Sequence, residues 1–161
     1  MDTFSNIIEW ILDKLKMIGA VCLVGMTFLT CADVVGRLFR HPIFGSVEIV
    51  SFMATLTIAM ALPYTQKNKG HVGVELLVRL LSARTQLIVD ICTGILSFAL
   101  FGLVTWRMAV YGNTMQKSGE VSMSLELPIH VIIYITSFCF LIFIFIVLQD
   151  IINNIRRLKS K

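Results

Sequence analysis

The sequence predicts an all-α integral membrane protein: four transmembrane helices, amphipathic interfacial helices at the N-terminus and between helices 2 and 3, and one membrane domain over residues 1–161. Three observations predict it. Of the 161 residues, 57% are hydrophobic and 15% charged, whereas soluble domains run at about 45–50% apolar, glycine included, and about 25% charged. The mean hydropathy is +0.83. The apolar residues gather into four runs, each near the roughly 20 helical residues that cross a ~30 Å hydrocarbon core. The net charge of +4 does not point to nucleic acid, because the basic residues flank apolar runs, as membrane-surface anchors do.

The first element covers residues 4–16. Phe4, Ile8, Ile11, Leu12 and Leu15 recur at helical spacing, opposite Ser5, Glu9, Asp13 and Lys16, which predicts an amphipathic helix lying at the interface. Asp2 and Glu9 replace a basic leader, and no small-residue cleavage site follows the apolar run, so a cleaved signal peptide is not expected. Span one is expected over 17–38 and carries Asp33 near its far end. Span two covers 47–66 and starts beside Glu48.

The stretch KNKGHVGVELLVRLLSART (67–85) comes next. It is too short and too charged to cross a bilayer. Gly70 offers a turn. Beyond it, Val72, Leu76, Leu77, Leu80 and Leu81 share one helical face, with Glu75, Arg79 and Ser82 opposite, so a second interfacial helix is expected over 72–83. Span three covers 85–107, with Asp90 near its start. Span four covers 127–149, where SFCFLIFIFIVL holds no charge. Each span must be helical, since lipid offers backbone N–H and C=O groups no partners.

Four spans put both termini and the 67–84 loop on one side. That side carries ten Lys and Arg residues: Lys14, Lys16, Lys67, Lys69, Arg79, Arg84, Arg156, Arg157, Lys159 and Lys161. The other carries four: Arg37, Arg40, Arg107 and Lys117. The imbalance predicts cytoplasmic N- and C-termini.

The polar residues offer little chemistry. Cys22, Cys31, Cys92 and Cys139 lie inside apolar runs without a CxxC pair, and read as packing residues. His71 and Glu75, at i and i+4, could supply two metal ligands, but a site needs three or four. A haem would need two facing axial histidines; the chain has only His41, His71 and His130, and His41 sits beside Pro42 in a loop. No metal, catalytic or substrate-binding residue is expected, and no cofactor.

Intramembrane charges are costly unless paired or able to snorkel. Asp33 and Arg37 lie four apart with the acid N-terminal, the favourable order, and Glu48 opens span two on the same side. These three are expected either to pin helix depth, or to form an ion pair, Arg37 with Glu48, that locks spans one and two or touches a partner subunit. Ser51, Thr55 and Ala59 form a small ridge at four-residue spacing on span two, and span one has Gly19, Ala20 and Gly25. Small residues let helices approach closely in lipid, so spans one and two are expected to form much of a docking surface. Span four, without Gly or Ala between Leu127 and Gln149, is expected to face lipid. Mid-span positions are apolar, and no helix breaks in its middle as transporter sites require; the chain therefore needs a partner to move solute. A redox-enzyme anchor and a stand-alone channel or exporter are the alternatives.

Three motifs carry a resemblance. In DVVGRLFRHPIFGSVEIV (33–50) an Arg after span one is followed by a Gly and then a Glu that opens span two. GHVGVELL (70–77) follows span two, and SMSLELPIHVIIY (122–134) introduces span four with a Ser-x-x-Leu-x-x-Pro pattern. Over residues 17–150 the chain resembles the small membrane subunit of tripartite ATP-independent periplasmic (TRAP) transporters, with Glu75 standing where the family usually has Asp. The resemblance implies a scaffold and anchor that steadies a large elevator-type permease subunit in the bacterial inner membrane. It implies a periplasmic substrate-binding protein as the third component. It also implies sodium-gradient-driven uptake of an organic acid, a C4-dicarboxylate or a sialic acid. On that reading His71, Glu75 and Arg79 anchor the chain at the membrane surface or against a partner.

Overall fold

The structure, a computed structural model, describes residues 2–68 and 83–159. Among these the chain forms four helices: α1 (Asp2–Leu38), α2 (Ser46–Lys67), α3 (Ala83–Ser118) and α4 (Ile129–Lys159). Each holds a stretch long and apolar enough to cross a membrane: Ile8–Leu38, Ser46–Lys67, Thr85–Ser118 and Ile129–Arg156. The expected interfacial helix over 72–83 falls almost wholly outside the described residues, with only Ala83 inside, as the first residue of α3.

The helices stand side by side in the order α1, α2, α4, α3. Helix α2 packs on α1 and α4, and α4 packs on α3, while no comparable contact joins α1 to α3 among the described residues. The arrangement is an open row rather than a closed bundle. Small residues admit the close approaches within it. Gly19 of α1 faces Met60 and Thr57, and Gly25 faces Met53, so the glycines expected to meet a partner instead seat α1 against α2. A Cβ at Gly94 would stand 2.8 Å from Ile151, and one at Gly112 3.1 Å from Tyr134. Side chains of α4 thus enter recesses in α3.

Helix α4 corrects the expectation that span four faces lipid. Ile133, Cys139, Phe143, Ile146, Val147 and Ile151 are buried, and α4 contributes most of the core. Cys139 meets Ala59 and Met60 of α2; Phe143 and Val147 meet Leu62 and Phe101. The Phe101 ring packs tilted on Phe143, with centroids 4.5 Å apart. A lack of Gly and Ala is a poor guide here, because bulky side chains gain dispersion contacts wherever the neighbouring helix supplies the gap. The outer stripe of α4, including Phe138, Leu141, Phe145 and Leu148, does remain exposed.

The expected break between residues 16 and 17 does not exist. Helix α1 runs unbroken for 37 residues, about 55 Å at 1.5 Å per residue. No glycine or proline interrupts residues 13–18, so extending the helix meets no steric obstacle. The amphipathic pattern is present, but its apolar side turns toward the chain's own core: Leu12 is fully buried and Leu15 packs against Ala59, Met60 and Cys139. Helices α3 and α4 likewise outrun their expected ends at 107 and 149. Arg107 and Gln149 mark a change of environment, not of backbone conformation. It is Gly119, at φ 66° just past Ser118, that ends α3.

Candidate functional site

The polar structure concentrates where the α1–α2 and α3–α4 connections meet. Beyond Leu38 the chain folds back tightly, and the His41 N–H donates to the Gly36 carbonyl at 2.8 Å. A Cβ at Gly36 would lie 2.5 Å from the His41 oxygen, so only glycine fits that fold-back. Asp33 then ties the turn down. Its Oδ2 accepts from Arg37 Nε at 2.8 Å, and its Oδ1 from the Ile43 N–H at 2.9 Å. Asp33 is buried, while more than half of the Arg37 side chain stays exposed.

Gly45, at φ 72°, caps α2 without a side-chain hydrogen bond. Leu125 of the other connection sits directly on it: a Cβ there would stand 2.6 Å from Leu125 Cγ. One turn along α2, Glu48 reaches the same connection. Its Oε2 accepts from the backbone N–H groups of Leu125 at 3.0 Å and Ser124 at 3.3 Å. The connection closes on itself through Ser122, whose N–H donates to the Leu127 carbonyl and whose Oγ accepts from the Leu127 N–H. Between the two connections lies an open cleft of about 400 Å³, lined by Arg37, Ile43, Ser46, Glu48 and Met123. Phe39, Phe44, Val47 and Met123 are exposed at this end.

Of the alternatives left open for these charges, the Arg37–Glu48 pair does not form, although both residues line the cleft. Arg37 is held by Asp33 on its own helix, and Glu48 by loop backbone. Ser51 and Thr55 are exposed on α2, their hydroxyls donating to the carbonyls of Val47 and Ser51. Ala59, expected beside them, is buried at 1% exposure. Four-residue steps advance 40° beyond a full turn, so Ala59 has rotated about 80° from Ser51, toward α4. His71, Glu75 and Arg79 lie outside the described residues.

Sequence reasoning missed the contact between two of the motifs. Gly45 and Glu48 of the first bind Leu125 and Ser124 of the last, and Ser122 shapes the loop that Pro128 closes. Their shared location on one side was the available signal.

The opposite end is held differently. Lys67 Nζ meets Glu9 Oε1 at 2.8 Å across α2 and α1. Lys16 lies 4.5 Å from the centre of the Tyr64 ring and 3.4 Å from Asp13. Gln66 donates to Asp150 of α4 at 3.4 Å.

Several mid-helix hydroxyls are bonded within the protein. Thr136 donates to the Ile132 carbonyl, and Ser137 to the Thr105 carbonyl across α4 and α3. Among the described residues no buried side-chain polar atom lacks a partner, and no three His, Cys, Asp or Glu residues cluster as metal ligands.

No curated protein and no solved structure matches the chain. One family model does, described as "Tripartite ATP-independent periplasmic transporters, DctQ component", over residues 26–157, most of the length, from the last third of α1 into the end of α4. The chain belongs to the DctQ family, the small membrane component of TRAP transporters.

Proposed function

We propose that the chain is the supporting membrane subunit of its transporter: it anchors and steadies a large permease subunit and does not itself carry the solute. The observation behind this reading is the pairing of four unbroken helices with mid-helix hydroxyls at Thr57, Thr105, Thr136 and Ser137 that are spent on backbone carbonyls. A solute path needs unengaged polar groups at membrane depth, usually where a helix unwinds. The open row suits a wall laid against a larger partner, since it leaves broad helix faces uncovered.

The face we assign to the permease is the exposed stripe of α2 through Val47, Ser51, Thr55 and Ile58. Its small residues permit close helix packing, and their hydroxyls are already bonded to their own helix. The bulky stripe of α4 through Phe138, Leu141 and Phe145 is assigned to lipid. His71, Glu75 and Arg79 complete the proposed anchoring set at the membrane surface. The transporter as a whole is proposed to import an organic acid, of the C4-dicarboxylate or sialic acid class, with sodium, receiving it from a periplasmic binding protein. The proposed location is the inner membrane with both termini cytoplasmic, an orientation that the ten-to-four division of basic residues supports.

Co-purification tests the assignment. Leucine at both Ser51 and Thr55 is expected to release the permease subunit, whereas alanine at both Phe138 and Phe145 is expected to leave it bound. The reverse pattern overturns the assignment. Vesicles holding this chain alone are expected not to accumulate an organic anion under a sodium gradient.

A further inference from the structure

A second cavity lies away from the connections. It is a groove of about 220 Å³ on the exposed side of the α1–α2 pair, lined by Lys16, Gly19, Ala20, Thr57, Ala61 and Tyr64 among others. Its upper end is cationic and its floor is apolar. Half of the Lys16 side chain is exposed. The ammonium lies over the Tyr64 ring, and its hydrogen bonds are long, 3.4 Å to Asp13 Oδ1 and 3.5 Å to the Tyr64 hydroxyl, so it retains donor capacity. Below it, the Thr57 hydroxyl donates to the Met53 carbonyl at 2.8 Å and the Thr65 hydroxyl to the Ala61 carbonyl at 3.0 Å. The Thr57 and Thr65 hydroxyls therefore offer no unmet donor to a polar occupant.

Depth fits the same division. Lys16 is the last charge of α1 before an apolar run that extends to Asp33. A lysine at that boundary holds its ammonium at headgroup level. From Lys16 to Leu23 the groove descends about 10 Å along the helix axis at 1.5 Å per residue. A packed helix, about 10 Å across, is too wide to enter a groove of this volume, but a single hydrocarbon chain is not.

Charge decides the headgroup. The segments meeting at the connection end, 33–48 and 107–126, hold four Lys and Arg and four Asp and Glu, so the entire net charge of +4 belongs to the rest of the chain. An anion near Lys16 thus meets the basic part of the molecule, and anionic lipid surfaces attract basic segments by about 1 kcal/mol per Lys or Arg.

We propose that the α1–α2 groove holds one phospholipid with an anionic headgroup, its phosphate accepting from Lys16 Nζ and the Tyr64 hydroxyl, and one acyl chain lying on Gly19, Ala20 and Ala61. Native mass spectrometry of the full chain in mild detergent, titrated with phosphatidylglycerol or phosphatidylcholine, tests this. One phosphatidylglycerol is expected to be retained about tenfold more tightly than phosphatidylcholine. Ala61→Leu and Ala20→Leu, at exposed positions, fill the groove and are expected to reduce retention about tenfold or more. Lys16→Gln is expected to remove the preference between the two lipids, and Lys16→Arg to keep it. Circular dichroism checks that each variant keeps its helix content. The proposal is overturned if the two lipids bind equally to the unsubstituted chain, or if both leucine variants retain phosphatidylglycerol normally. It is also overturned if those variants shed the permease subunit while lipid retention is unchanged, which would make the groove a helix-docking site.

Discussion

At the connection end, Asp33 and Glu48 accept from backbone N–H groups of Ile43, Ser124 and Leu125. At the opposite end, Lys67 meets Glu9 and Gln66 meets Asp150 through side chains alone. The two ends carry similar residue types, yet they do different physical work. A carboxylate bonded to main-chain donors fixes the path of a loop, because those donors lose their partner if it leaves. An exposed side-chain pair fixes little, since either partner can turn to water instead. Among the described residues the connection end is therefore the more firmly tied, whereas the side-chain pairs at the other end can exchange their partners for water.

Substitutions can break or sharpen that contrast. The largest loss is expected from Gly45→Ala, which forces a Cβ into the left-handed region at about 1–2 kcal/mol and also drives it into Leu125. Thermal unfolding in detergent should show this variant as the least stable of the set. Glu48→Ala leaves two N–H groups without their acceptor, at about 1–3 kcal/mol. Glu48→Gln keeps a carbonyl acceptor and should lose clearly less. Equal losses would mean that the charge, not the acceptor, holds the connection.

Asp33→Ala should loosen the turn locally, read as faster hydrogen exchange at the Ile43 amide while amides in the middle of α1 stay protected. The smallest effect is expected from Glu9→Ala and Lys67→Ala. A double-mutant cycle on that pair should give less than about 1 kcal/mol of coupling, falling further as salt is raised. A coupling as large as the Glu48→Ala loss would erase the distinction between the ends.

How much was legible in advance varies with the range of the interaction that decides each feature. The four helices could be read because an apolar run of membrane length has few alternatives in lipid. The Asp33–Arg37 pair could be read for a similar reason: i,i+4 neighbours on a helix meet whatever surrounds them. Ala59 was misplaced because four-residue spacing drifts around a helix, and only the position of α4 shows how far is too far. Helix α4 was misjudged because its burial depends on gaps that Gly94, Gly112 and Ala59 open on other helices. Glu48 was recognised as noteworthy, but its true partners, two backbone amides 76 and 77 residues away, leave no mark in local sequence.

The sequence by itself determined the apolar character of this chain, the number of its helices long and apolar enough to cross a membrane, and the family to which its motifs belong. All three follow from hydrophobicity and short-range spacing, which the chain carries before it folds. Only the tertiary structure decided that the helices form an open row with α4 inside, that Gly45 and Glu48 close on the 122–128 loop, and that a groove lies between Lys16 and Leu23. Those features depend on which helix faces meet. In a bilayer nearly every face is apolar, so the fit of large side chains into small gaps makes the choice.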